Sequence, residues 1–227
     1  MTAGDGPAPG AAVPAAPPAP PAVKTSTLLT TLGVGGAIAG LLLVVVYGLT
    51  LPAIEANKQK DLEAAIKEVL RGAERYETLY VVKGALVANA PEGADPKKLE
   101  RVYLGYRTGS ERVGFAFVAA EPGFQDLVGL IFGYDAAKKQ LLGMKVLETK
   151  ETPGLGDKIE KDPNFVGQFR GAATPLVGVK RGKRSKPGEI DMITGATISS
   201  RAVIRIINNT LKRLGPAVEA YAAEGKG

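Results

Sequence analysis

The sequence predicts an α+β domain, an antiparallel sheet with flanking helices, tethered by one N-terminal transmembrane helix. Three observations lead to this fold class. A long uncharged apolar run lies near the N-terminus, short apolar or aromatic runs separated by turn-rich stretches fill the middle, and a helical period marks the C-terminal part. The 227 residues leave enough chain beyond the membrane segment for one globular domain of ordinary size.

The first segment, residues 1–24, is predicted to be a disordered tail. Up to Val23 it consists almost entirely of Ala, Pro and Gly, and its single charge is Asp5. Such a composition buries too little apolar area to offset the chain entropy that is lost on folding.

Residues 25–52 are predicted to form a transmembrane helix. No charged residue occurs from Thr25 to Ile54, and the apolar run Leu28–Leu51 is long enough to cross a hydrocarbon core of about 30 Å. A secretory signal peptide is the alternative, but its basic region would contain Lys24 alone and its apolar run would be unusually long. Charge leaves the side of the membrane undecided, because the basic residues after the span also fit the wet face of a helix.

Residues 53–78 are predicted to continue as a stalk that forms an amphipathic helix. Apolar side chains recur there at helical spacing, with charged residues between them. The apolar positions are Leu62, Ile66, Val69, Ala73 and Tyr76.

Residues 79–227 are predicted to form the globular domain. Strands are expected where short apolar or aromatic runs alternate with turn-rich stretches, and residues 135–140 are expected to join two strands as a hairpin. A C-terminal helix is expected because apolar side chains from Val203 to Leu214 fall on one helical face. The expected strands are residues 101–107, 113–119, 128–134, 141–147 and 176–180.

The chain contains neither Cys nor His. This excludes disulfides, thiolate metal sites, iron–sulfur ligation, thiol catalysis and imidazole acid–base chemistry. Redox or transfer chemistry must therefore come from a cofactor or from carboxylates, and no metal site is predicted. The net charge of +6 admits an anionic membrane surface as a partner. Nucleic acid is not expected, since the basic residues of this membrane-tethered chain have no interleaved aromatic platform.

The sharpest local motif is Asp191-Met-Ile-Thr194-Gly195-Ala196-Thr197, directly before the predicted C-terminal helix. Thr and Gly are ordinary cap and turn residues at such a position, so one explanation is purely structural. The start of a helix also favours a phosphate, because its amides and its dipole attract an anion. A phosphate esterified to the Thr197 hydroxyl is therefore the second explanation.

A second motif is the run Glu151-Thr152-Pro153-Gly154-Leu155-Gly156. Proline fixes one backbone dihedral, and the glycines allow the backbone to approach a flat ring closely. Taken alone, the run predicts a tight loop between a strand and a helix. Beside the first motif, it predicts one wall of a flavin pocket.

Together the two motifs resemble an FMN-binding family. It includes the G subunit of the Rnf-type ion-translocating ferredoxin:NAD oxidoreductases, and its nearest relative is the C subunit of the sodium-pumping NADH:quinone oxidoreductases. In that family, Asp-x-x-Ser/Thr-Gly-Ala-Thr is the motif that a flavin transferase recognises. The resemblance covers the span and residues 53–214. The family often has His where this chain has Thr149, so a proton-relay role at this position is not expected.

The resemblance implies that Thr197 carries covalent FMN through its phosphate. It further implies an electron carrier that works between the redox subunits of a membrane complex, is matured by a flavin transferase, and is not a complete enzyme. The domain would lie on the periplasmic side of a bacterial inner membrane. Lys158 would stabilise negative charge on the reduced flavin. The other residues implied to bind FMN are Asp191, Thr194, Gly195, Ala196, Thr152, Gly154, Leu155 and Gly156.

Two other functions fit the same residues. One is a membrane-tethered flavin module that reports redox state, with the same fold and motif. The other is a flavin-free adaptor in which residues 191–197 are only a helix cap.

The most basic stretch is Lys180–Lys186, which is expected to be a solvated hairpin loop. Its functional alternatives are attraction to anionic membrane lipid or to an acidic protein of the complex, and long-range support for the FMN phosphate.

Overall fold

The computed structural model describes residues 24–96 and 98–224. The chain divides after Ile54 into two compact units, which are described separately. Apart from Lys24, the tail predicted over residues 1–24 lies outside the described residues.

The first unit contains the apolar part of helix α1, which runs from Thr25 to Val69 and includes Pro52. By length and composition this helix can cross a membrane: its most apolar window has a mean hydropathy of 2.3, and none of that window is buried in the protein. The hydroxyls of Thr30 and Thr31 donate to carbonyl oxygens four residues earlier, at 2.6 and 2.8 Å. Such bonds satisfy polar groups within the helix, which an apolar surrounding requires.

The second unit begins at Glu55 and is built on a six-stranded antiparallel sheet with the order β2-β1-β3-β4-β5-β6. Two short helices follow β6, a separate pair of parallel strands comes next, and the long helix α4 closes the chain. The elements are β1 (Arg75–Val82), β2 (Ala85–Val87), β3 (Arg101–Tyr106), β4 (Arg112–Pro122), β5 (Leu127–Asp135), β6 (Gln140–Glu148), α2 (Lys158–Lys161), α3 (Pro163–Gly167), β7 (Val177–Val179), β8 (Glu189–Asp191) and α4 (Thr197–Glu224).

Helices cover both faces of this sheet, and the strand side chains alternate between them. Phe115 and Phe117 of β4 lie in the cluster that contains the apolar face of α4. Ala116, between them, lies in a second cluster with Ile66 and Val69 of α1. Because successive strand residues point to opposite faces, both faces must be apolar where helices cover them. The α+β fold class predicted from the sequence is confirmed.

The helix predicted over residues 53–78 is correct only as far as Val69. Gly72 adopts φ +85°, a left-handed conformation typical of a residue that ends a helix, and Arg75–Val82 then forms β1. Tyr76 is therefore a strand residue, although it packs against the same cluster as Ile66. Tyr76 falls at a helical spacing although it is not in the helix, because the turn at Gly72 returns the chain to the apolar cluster that contains Ile66.

The predicted strands and the hairpin between β5 and β6 are present with small shifts of their ends. The sequence did not predict β1, β2 or β8. The basic loop is exposed, as expected, but it is not a hairpin, because the strands it joins, β7 and β8, are parallel.

Candidate functional site

The two sequence motifs meet at one cavity of about 270 Å³. The first wall is the loop that follows β6, and the second is the start of α4. The turn between β4 and β5 contributes a third side. The lining residues are Phe124, Glu151, Thr152, Leu155, Gly156, Gly195, Ala196, Thr197, Ile198 and Ser199.

Thr197 is the first residue of α4 and is half-buried. The turn before it depends on Gly195, which adopts φ +86°, and on the buried hydroxyl of Ser200. That hydroxyl accepts from the amide of Ile193 at 3.1 Å and donates to the carbonyl of Ala196 at 2.8 Å. These bonds fix the motif against the helix, so that the Thr197 side chain lies at the cavity.

The start of α4 can accept an anion beside Thr197. The backbone bond from the Ser200 amide to the Ala196 carbonyl, at 2.9 Å, marks the beginning of the helical pattern. The amides before Ser200 in the first turn have no helical carbonyl ahead of them, which makes a helix N-terminus a donor for phosphate.

Glu151 joins the three sides of the cavity. Its side chain is buried, and its Oε1 accepts from the amides of Phe124 and Gln125 at 2.7 and 3.1 Å. Its Oε2 accepts from the hydroxyl of Ser199 at 2.6 Å. A second link joins two of the sides, since the hydroxyl of Thr152 donates to Oε1 of Gln125 at 3.2 Å.

The Glu151 carboxyl is held in its ionised form. Burial by itself acts to raise its pKa, but the hydrogen bond from Ser199 and those from the amides of Gln125, Phe124 and Asp126 outweigh this effect. The pKa of Glu151 therefore lies below its ordinary value.

Two glycines allow the carboxylate to sit so close to the backbone. A Cβ at Gly123 would lie 2.3 Å from Glu151 Oε1, and a Cβ at Gly156 would lie 2.7 Å from Oε2. Both distances are shorter than atoms can approach, so these positions need glycine for space.

Large apolar side chains remain exposed around the cavity. Phe124 is 63% exposed, Leu155 is 49% exposed and Ile198 is 51% exposed. They come from the three different sides of the cavity, and together they offer apolar contact to a flat aromatic ring.

Asp191 lies away from this cavity, although it begins the same motif. It lines a second cleft of about 210 Å³ together with Gln168, Arg181 and Arg184. The Gln168 side chain accepts from the Asp191 amide at 2.7 Å and donates to the Asp191 carbonyl at 3.2 Å. The Asp191 carboxylate accepts from the Lys183 amide at 3.3 Å.

The structure brings together six of the ten predicted binding residues: Thr152, Leu155, Gly156, Gly195, Ala196 and Thr197. The other four do not line the cavity. Gly154, Lys158 and Thr194 are exposed, and Asp191 lines the second cleft.

Sequence reasoning did not identify Phe124, Ile198 or Ser199 as cavity residues. It placed Glu151 in the run that forms one wall but did not name it as a binding residue. Glu151 begins the second motif, and that position was the available sequence signal. Phe124 gave no local signal, since its contact with Glu151 spans 27 residues of chain.

The sequence is similar to those of known proteins. The family of FMN-binding domains matches residues 123–212, a range that includes every residue lining the cavity. The G subunit of the ion-translocating oxidoreductase complex of Vibrio vulnificus is 31% identical over 178 residues, covering 78% of this chain and 82% of that protein. The corresponding protein of Yersinia pestis is 34% identical over 208 residues, covering 86% of this chain and 94% of that protein.

A solved structure has a similar fold. The crystal structure of NqrC from Shewanella oneidensis has a TM-score of 0.59 and 16% sequence identity, and the similarity covers 73% of this chain and 99% of that one. At this identity the likeness concerns the fold alone.

Proposed function

The chain belongs to the family of G subunits of ion-translocating oxidoreductase complexes, and we propose that it carries FMN as a phosphoester on Thr197. With its FMN-binding domain it is a flavin electron carrier in such a complex, and α1 anchors it to the membrane. The flavin supplies the electron-accepting and electron-donating chemistry, so the chain itself needs no catalytic acid or base.

The observation that carries this proposal is the convergence of both motifs on one cavity, with Thr197 at the start of α4. The amides of the first turn of α4 would hold the phosphate, since they favour an anion. Leu155, Ile198 and Phe124 would contact the ring through their exposed apolar surfaces. The residues present therefore fit a phosphate joined to an aromatic group.

The size of the cavity also fits an electron carrier. Its volume of about 270 Å³ is just below the range of pockets that enclose a drug-sized ligand, about 300 to 1,000 Å³. Part of the flavin would remain accessible to another protein. Electron transfer between proteins of a complex needs such access, whereas a catalyst that must exclude water needs a closed site.

The proposed partners are the other redox subunits, a flavin transferase for maturation, and membrane lipid around α1. The following experiment distinguishes this flavin carrier from a flavin-free adaptor. The full-length chain is expressed with a flavin transferase, and flavin fluorescence is measured in its band on a denaturing gel.

We expect a fluorescent wild-type band and complete loss of fluorescence in Thr197→Ala, because no hydroxyl remains to be esterified. Thr197→Ser is the matched control and should retain fluorescence, since it keeps the hydroxyl. A dark wild-type band, or a band of unchanged intensity in Thr197→Ala, would overturn the attachment.

We further propose that the Glu55–Gly227 unit faces the periplasm. Support for this orientation comes from the family resemblance, and charge does not oppose it decisively because long domains translocate regardless of charge.

The chain has no Cys, so Ser185→Cys in the exposed basic loop introduces a unique thiol. We expect a membrane-impermeant maleimide to label this thiol in intact cells with a permeabilised outer membrane. Labelling that appears only after lysis would contradict this orientation.

A further inference from the structure

Glu151 is an unusual residue in this protein. Among the residues that the structure describes, it is the one charged side chain that is buried, with 5% of its surface exposed. Burial of a charge is costly unless the charge is paired or fully hydrogen-bonded. Glu151 meets this condition through hydrogen bonds alone, so a negative charge is held at the edge of the cavity.

The charge of Glu151 is stabilised by neutral donors. The bonds it accepts come from backbone amides and from the Ser199 hydroxyl, and no ion pair within the described part of the chain involves it. Neutral donors lower the energy of the carboxylate, but they do not cancel its net negative charge. That charge therefore acts on whatever occupies the cavity.

The same bonds also determine the shape of the cavity. The turn that contains Phe124 and Gln125 is separated from Glu151 by strands β5 and β6, and Ser199 lies 48 residues further along the chain. Each of these segments contributes a lining residue. Removal of the carboxylate would leave the amides without their acceptor and free the segments to separate.

We propose that Glu151 is a positioning residue that holds the three sides of the cavity together, and that its negative charge makes the bound flavin harder to reduce. The inference rests on the proposed function. Reduction adds negative charge to the flavin, and a fixed negative charge nearby opposes that addition. The wild-type chain is then a stronger reductant than it would be with a neutral residue at this position.

Two substitutions separate the two roles. In Glu151→Gln the amide oxygen can accept from Phe124 and Gln125, and the amide nitrogen can donate to the Ser199 hydroxyl, which rotates to accept. This variant keeps the positioning bonds and removes the charge. In Glu151→Ala both are lost. Ser199→Ala is the complementary variant, because it removes one bond and keeps the charge.

The test measures covalent flavin fluorescence, the flavin midpoint potential and the melting temperature of the full-length chain. Glu160→Gln is the matched control, since it removes a negative charge from an exposed position. We expect Glu151→Gln to load more flavin than Glu151→Ala does and to have a more positive potential than both the wild type and Glu160→Gln. We expect Glu151→Ala to load less flavin and to melt at a lower temperature.

Each role can be overturned separately. If the potential of Glu151→Gln equals that of Glu160→Gln, the charge has no such effect. If Glu151→Ala loads and melts as the wild type does, the positioning role is wrong. Should Glu151→Gln fail to fold, Glu151→Ala is compared with Ser199→Ala, because both lose the Ser199 bond and only Glu151→Ala loses the charge. A more positive potential in Glu151→Ala supports the charge role, and equal potentials overturn it. A wild-type chain without flavin would contradict the proposed function instead, and the melting temperatures would still test the positioning role.

Discussion

The segment from Asp191 to Thr197 has two ends with different surroundings. At the Thr197 end, three separate parts of the chain converge on one cavity, and apolar side chains surround a hydrogen-bonded carboxylate. At the Asp191 end, the backbone pairs with Gln168, and the side chain faces a cleft that contains Arg181 and Arg184. One short motif therefore takes part in two local structures.

The difference teaches that a sequence motif can combine a binding function with a structural or recognition function. The Thr197 end depends on close packing, since Glu151 lies against Gly156 and bonds to Ser199. At the Asp191 end it is Gln168 that fixes the backbone, and within residues 24–96 and 98–224 the Asp191 carboxylate makes one long hydrogen bond, to an exposed loop. We therefore expect the fold to tolerate changes of the Asp191 side chain better than changes around Thr197.

Among changes that test the difference between the two ends, Gly156→Ala is expected to have the largest effect on stability and flavin loading together. The new Cβ would lie 2.7 Å from Glu151 Oε2 and 2.8 Å from Glu151 Cβ, so the loop or the carboxylate must move. Overpacking of this kind costs about 1–3 kcal/mol of unfolding free energy. The free energy of unfolding, measured with denaturant, and the flavin fluorescence should both decrease relative to the wild type.

Gly167→Ala in α3 is the matched control for this change. Its Cβ would have no atom within 4 Å, so no loss of stability or flavin is expected. Equal behaviour of the two variants would mean that the Thr197 end is not closely packed, and the proposed contrast between the two ends would disappear.

Much of this architecture could be predicted from the sequence, because periodicity reports local structure directly. The long strands β3 to β6 alternate with clear turn signals, and α4 has a regular apolar face. β1 was not recognised because Tyr76 continues the helical spacing of α1, and only Gly72 marks the break. β8 has three residues, too few for any period to appear.

The site was predictable to the extent that its residues lie in local motifs. Thr197 and Leu155 lie within recognisable runs, and the structure brings both to the cavity. Phe124 and Gln168 act through contacts that span 27 and 23 residues of the chain, and nothing in their neighbourhoods indicates those partners. Chemistry carried by short motifs can be predicted from the sequence. The long-range contacts that hold those motifs in place can be identified only from the fold.

The smallest effect on stability is expected from Asp191→Ala, which also gives the sharper test of the difference between the two ends. Asp191→Ala removes one hydrogen bond of 3.3 Å to an exposed amide, so unfolding free energy should decrease by at most about 1 kcal/mol. Gln168→Ala leaves the amide and carbonyl of Asp191 without their partner and should lower the unfolding free energy by more, about 1–3 kcal/mol.

If the Asp191 carboxylate is a contact for the flavin transferase, Asp191→Ala will lose much flavin fluorescence and little stability. Gln168→Ala will instead lose mainly stability. If both variants lose stability and flavin in parallel, the Asp191 end has a structural role only. The flavin transferase would then recognise the motif at its Thr197 end.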